Sequence, residues 1–136
     1  MKKLTEIVAV GALLVVTAGS GGSASAHHSF AMFDNSKCKT IVGTVRKFAW
    51  NYPHSWLWLN VQNKSGGVDV WGFEGEPPSN LAQDGWSKTS VVKGDKVTVG
   101  YNPLRDGRNG GAFSALKRAD GKVLRGALGK RAICQF

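Results

Sequence analysis

From Thr40 onward, apolar and polar positions alternate in short runs, and Gly, Asn, Asp and Pro separate the runs. A period of two marks half-buried strands, whereas amphipathic helices need a period near 3.6. Thr40–Trp50, TIVGTVRKFAW, predicts a first strand with Gly43 as its bulge or bend. Ser55–Val61, SWLWLNV, predicts a second, with Leu57, Leu59 and Val61 facing one way and Trp56 and Trp58 the other. QNKSGG reads as a hairpin turn, and Val68–Glu74, VDVWGFE, as a third strand with less regular alternation.

The stretch GEPPSNLAQDGW interrupts this pattern. Its two prolines stop the third strand and leave Glu76 outside it. Ser79 predicts the cap of one short helix, Asn80–Asp84, and Gly85 its end. A Gly94-Asp95 turn leads into a fourth strand, Lys96–Tyr101, and the loop NPLRDGRNGG into a fifth, Ala112–Arg118. ADGK turns the chain into a short sixth strand, Lys122–Leu124, while GALGKRAICQF carries no firm pattern. This order predicts a mainly β chain: a small five- to six-stranded barrel of the oligonucleotide/oligosaccharide-binding (OB) type, with one short helix after the third strand. A β-sandwich is the alternative, but usually asks for about seven strands.

The first 26 residues follow different rules. Lys2 and Lys3 precede an apolar run of twelve residues, Ile7–Ala18, and small residues then lead to Ala24-Ser25-Ala26. This three-part pattern predicts a secretory signal peptide over residues 1–26, a single domain over 27–136, and a periplasmic or secreted location. Twelve apolar residues fall short of the roughly 20 needed to span a bilayer, so no membrane span is expected in the mature form. No cysteine follows the run to take a lipid anchor. Cleavage after Ala26 makes His27 the new N-terminus; cleavage after Ala24 leaves Ser25 there instead.

Two cysteines, Cys38 and Cys134, stand near opposite ends of the mature chain. In an oxidising compartment they predict one disulfide; a thiol metal pair is the alternative, without CxxC spacing to support it. Without Lys2, Lys3 and Glu6, sixteen basic residues face eight acidic ones, a net charge of +8. From Leu104 onward Arg105, Arg108, Lys117, Arg118, Lys122, Arg125, Lys130 and Arg131 are opposed only by Asp106 and Asp120. Such a face attracts anions and equally serves solubility. Export argues against nucleic acid as the partner.

Four ordered stretches, HHSFAMFD, GTVRKFAWNYPHSWLWL, WGFEGEPPSNLAQDGW and VVKGDKVTVGYNPLRDG, resemble a family of small exported bacterial proteins catalogued as domain of unknown function 6152. The resemblance spans essentially the whole mature chain. That family usually reads Trp-x-Asn-Pro-His-x-Trp; here Trp50-Asn51-Tyr52-Pro53-His54-Ser55-Trp56 puts Tyr52 where Asn is usual. The resemblance implies no established activity.

Candidate chemistry gathers on the three histidines, His27, His28 and His54, all inside those stretches. An N-terminal His27 offers its α-amine and ring Nδ1 as a six-membered chelate, and His54 a third nitrogen. That N₃ set is similar to the histidine brace of lytic polysaccharide monooxygenases and exported copper carriers, and nitrogen-rich tetragonal sites favour Cu(II). His28 is an alternative ligand through the amine, its amide and its ring. Met32 is a soft donor or, beside Phe30 and Phe33, packing. Glu74 is a candidate outer-shell partner for a metal-bound histidine. Each histidine also has a bland reading, as a polar tail residue or a structural hydrogen-bonder. The five tryptophans read as stacking surfaces or as core and rim packing. No catalytic residue is assigned: no nucleophile elbow, phosphate loop or Cys–His pair occurs. Three readings follow: a binding protein with copper as cofactor or cargo, a module for an anionic or carbohydrate ligand, and a copper redox enzyme.

Overall fold

The computed structural model describes residues 31–126 and 134–136. Six strands and one helix follow in the order β1 (Lys39–Ala49), β2 (Trp56–Gln62), β3 (Val68–Glu74), α1 (Pro78–Gln83), β4 (Lys96–Pro103), β5 (Gly110–Arg118) and β6 (Val123–Arg125). β1, β2 and β3 form an antiparallel meander, β4 pairs with the other edge of β1, and β5 pairs with β4. A parallel pairing of β3 with β5, Gly72 opposite Gly110 through Glu74 opposite Ala112, closes the cylinder. β6 extends the outer side of β5. The result is the expected five-stranded OB-like barrel plus one strand. Closure gives β3 and β5 partners that a sandwich would leave as edges.

Alternation accounts for the interior. Leu57 and Leu59 on β2, Phe73 on β3, Val97 and Val99 on β4, and Phe113 and Leu116 on β5 are buried in one cluster. Trp56 and Trp58 take the outer face of β2, their rings stacked with centroids 5.8 Å apart. Trp86 belongs to the core, and its indole N–H donates to the Arg125 carbonyl at 2.8 Å. The remaining tryptophans, Trp50 and Trp71, pack partly buried against that cluster.

Two local expectations are corrected. The bulge of β1 lies not at Gly43 but between Val45 and Lys47, where the register against β2 shifts. Arg46 and Lys47 are consecutively exposed there, so the period of two slips by one. Gly43 instead permits close approach: a Cβ there would lie 2.9 Å from the Asn60 carbonyl oxygen and 3.0 Å from Leu59 Cβ. The helix begins at Pro78, with Pro77 at its N-cap and no side-chain cap, so Ser79 lies inside the first turn rather than before it. Proline fits there because the first-turn N–H groups have no intrahelical acceptor. Gly85, at φ 84°, ends the helix as expected.

Cys38 and Cys134 are joined, with Cα atoms 5.5 Å apart, tying the residue before β1 to the C-terminal segment. Among the described residues no helix is long and apolar enough to cross a membrane.

Candidate functional site

The β2–β3 ladder sets the position of His54. Trp56 opposes Glu74, and beyond that pair the backbones stay in contact: Gly75 N–H donates to the Ser55 carbonyl at 2.9 Å and Ser55 N–H to the Glu76 carbonyl at 3.1 Å. The Ser55 hydroxyl, fully buried, donates to the same Glu76 carbonyl at 2.8 Å. Gly75 is needed in this clamp, because a Cβ there would run into the Phe113 ring and the Ser55 hydroxyl. His54 is thereby held two residues before a fixed strand start.

Its Nδ1 lies 3.0 Å from the Gly75 carbonyl oxygen and 3.6 Å from Glu74 Oε1. A carbonyl can only accept, so Nδ1 carries a proton, and in the neutral ring the lone pair is on Nε2. This is the tautomer that metal-ligating histidines adopt when a backbone oxygen orients them. The Glu74 side chain is 7% exposed and the His54 side chain 21%, so the carboxylate faces the ring from a site that water reaches poorly. Glu76, also buried, accepts from Asn80 Nδ2 at 2.9 Å, which ties α1 to the same corner.

The N-terminal segment runs past this corner. Phe33 bridges to Leu104, Asp34 N–H donates to the Pro103 carbonyl at 2.8 Å, and Arg105 N–H to the Met32 carbonyl at 2.9 Å. The Arg105 guanidinium adds a bond from Nε to the Ala31 carbonyl at 3.1 Å. Phe33, 2% exposed, packs with Ala112 and Leu104 on the outside of the β3–β5 seam. Beside it opens a cavity of about 250 Å³ whose walls include Met32, Phe33, Trp56, Glu74 and Arg108.

Of the sequence-predicted site residues, His54 and Glu74 are brought together, 3.6 Å apart. Met32 reaches the same cavity and is 40% exposed rather than packed away. His27 and His28 lie outside the described residues. Among the described residues no group of three or more His, Cys, Asp or Glu side chains could hold a metal ion. Sequence reasoning missed the Gly75 carbonyl and the Arg105 clamp. Counting the QNKSGG hairpin outward pairs Trp56 with Glu74 and puts Gly75 opposite Ser55, but whether the ladder continues that far has no local signal. The Arg105 clamp has no local signal either.

The described basic residues of the C-terminal third line more than one cavity. Arg105 and Arg108 line a cavity at the start of β5, whereas Arg118 lines another beside Lys96 and Asp120. Lys130 and Arg131 lie outside the described residues.

No curated protein and no solved structure matches the chain. Residues 14–114, most of the sequence, match the family described as Family of unknown function (DUF6152), and the chain belongs to that family.

Proposed function

We propose that this is an exported copper-binding protein whose signal peptide, residues 1–26, is removed to leave His27 as a metal-chelating N-terminus in the periplasm or outside the cell. His27 contributes its α-amine and ring Nδ1, His54 contributes Nε2, and His28 is the alternative ligand. Copper(II) suits three nitrogen donors better than the harder oxygen-seeking cations do.

The observation that carries this reading is that Met32 and Phe33 share a cavity wall with Glu74, whose carboxylate lies 3.6 Å from His54. His27 stands six residue steps before Phe33, and each step spans at most about 3.3–3.6 Å. A chain anchored at Phe33 can therefore carry its first residue up to about 20 Å from that anchor. The Nδ1–H bond to Gly75 supports the same reading, since in the neutral ring it makes Nε2 the basic nitrogen. Glu74 would offset part of the cation's charge through the ring.

Intact-mass analysis of the exported protein, followed by Cu(II) titration of the wild type, His27→Ala and His54→Ala, tests it. The expected result is a mass beginning at His27, one tight Cu(II), and loss of that affinity in both variants. An N-terminus at Ser25, or affinity that neither substitution changes, refutes the terminal chelate.

A further inference from the structure

We propose a second site, at the open end of the barrel where β1 and β5 begin, that binds a small ring-bearing carboxylate. It is independent of the copper reading and shares with that corner only the Leu104–Arg108 loop. A cavity of about 160 Å³ opens there, with Trp71 and Tyr101 in its wall and Lys37, Lys39, Arg105 and Arg108 around it.

The charges are not self-cancelling. Asp34 is the one carboxylate among the lining residues. It already accepts from the Ser36 hydroxyl at 2.6 Å and from Lys37 at 2.9 Å, which hold its carboxyl down at about 2. Arg108 pairs with Asp106 at 2.7 Å. Arg105 uses Nε on the Ala31 carbonyl, and neither its terminal nitrogens nor the Lys39 ammonium makes an ion pair among the described residues. Two cations therefore face the cavity with donors to offer, and a carboxylate matches the fork of the guanidinium.

The aromatic wall selects the rest of the ligand. Trp71 meets Tyr101 edge-on, centroids 6.1 Å apart, and stacks on Phe73. These rings are held by the core, so they present a rigid apolar surface. Burial pushes the Tyr101 phenol above its ordinary value of 10.0, so the wall adds no negative charge at neutral pH. An engineered cavity of about 150 Å³ accepts benzene, so a ring fits where a polymer does not. A flat apolar body against Trp71 with its carboxylate towards Lys39 and Arg105 satisfies both halves of the site; a bare inorganic anion satisfies one.

Benzoate is the probe, titrated into the metal-free exported protein and followed by amide and indole NMR shifts. Benzoate is expected to move the signals of Lys39, Trp71, Tyr101 and Gly107. Benzamide, with the ring but no charge, and inorganic phosphate, with charge but no ring, are each expected to bind about tenfold more weakly or worse. Lys39→Gln with Arg105→Gln should weaken benzoate by a similar factor. Both residues are exposed, so the spectrum should otherwise stay that of the folded barrel; Trp71→Leu provides a second, uncharged disruption. No shifts at these residues with millimolar benzoate, equal binding of benzamide or phosphate, or unchanged affinity in the double variant overturns the proposal.

Discussion

His54 Nδ1 and Glu74 Oε1 face each other at 3.6 Å because the β2–β3 register sets Trp56 opposite Glu74. The Gly75 carbonyl, at 3.0 Å, takes the ring proton. Glu74 Oε1 therefore stands beside the ring, beyond hydrogen-bond reach of Nδ1. In the proposed copper site, Glu74→Gln keeps the shape and removes the charge. Cu(II) affinity should fall roughly 10–100-fold, the usual cost of losing an outer-shell partner. Competition with a chelator of known affinity measures this; an unchanged constant denies Glu74 the role.

The disulfide offers a test free of any ligand. It closes a loop with a sequence separation of 96. Restricting so long a loop in the unfolded chain favours the fold, and loss of a native disulfide from a small domain typically costs about 2–5 kcal/mol. Cys38→Ser with Cys134→Ser should lower the urea midpoint accordingly. Two titratable thiols in the non-reduced protein would contradict the pairing itself.

Gly75→Ala asks whether the corner that holds His54 is rigid. The added methyl has to displace the Phe113 ring or the Ser55 hydroxyl, both buried. Overpacking of this kind costs about 1–3 kcal/mol. Alanine at Gly66, where a Cβ meets nothing within 4 Å but φ is 83°, separates backbone strain from crowding. A Gly75→Ala protein as stable as wild type means the clamp yields.

The barrel was legible in the sequence because its cause is local. Strict alternation in SWLWLNV and glycines at the turns fix strands and faces before any long-range contact forms. What stayed hidden depends on closure. The parallel pairing of β3 with β5 joins residues far apart in sequence, and it creates the seam on which Phe33 sits. The bulge does leave a trace, in the adjacent exposed Arg46 and Lys47, but Gly43 is the more conspicuous residue. His54 and Glu74 were each legible as candidates. Their meeting was not, since it depends on how far the β2–β3 ladder continues past its last strand pair.

Asp34 predicts an acid limb. Hydrogen bonding from Ser36, then Lys37, lowers its carboxyl from 3.8 to about 2 in the fold. A depressed carboxyl favours the folded state above the unfolded value, and that contribution disappears as pH falls through the folded one. Stability should therefore decline between about pH 4 and pH 2 in part through Asp34. Asp34→Asn should flatten that portion of the curve, and the side-chain carboxyl signal of Asp34 should titrate near 2 by NMR. A midpoint near 4 would show that Ser36 and Lys37 do not hold the carboxylate in solution.

Phe33 gives the sharpest separation of delivery from ligation. The ring is 2% exposed and packs on Ala112 and Leu104, and the neighbouring backbone bonds to Pro103 and Arg105 follow from that seat. It belongs to a small cluster apart from the main core, so Phe33→Ala should release the N-terminal segment more than it unfolds the barrel. Its stability cost should fall at or below the low end of the usual range of about 3–5 kcal/mol for burying and then losing a phenylalanine. All proposed copper ligands survive the substitution. If His54 receives its partners from a segment anchored at Phe33, Cu(II) affinity should drop while the His54 ring keeps its bond to Gly75, visible as an unchanged Nδ1–H proton. Unreduced affinity in a folded Phe33→Ala protein would mean that the histidines upstream find His54 without the anchor, or do not bind copper together with it; the His54→Ala titration then decides between the two.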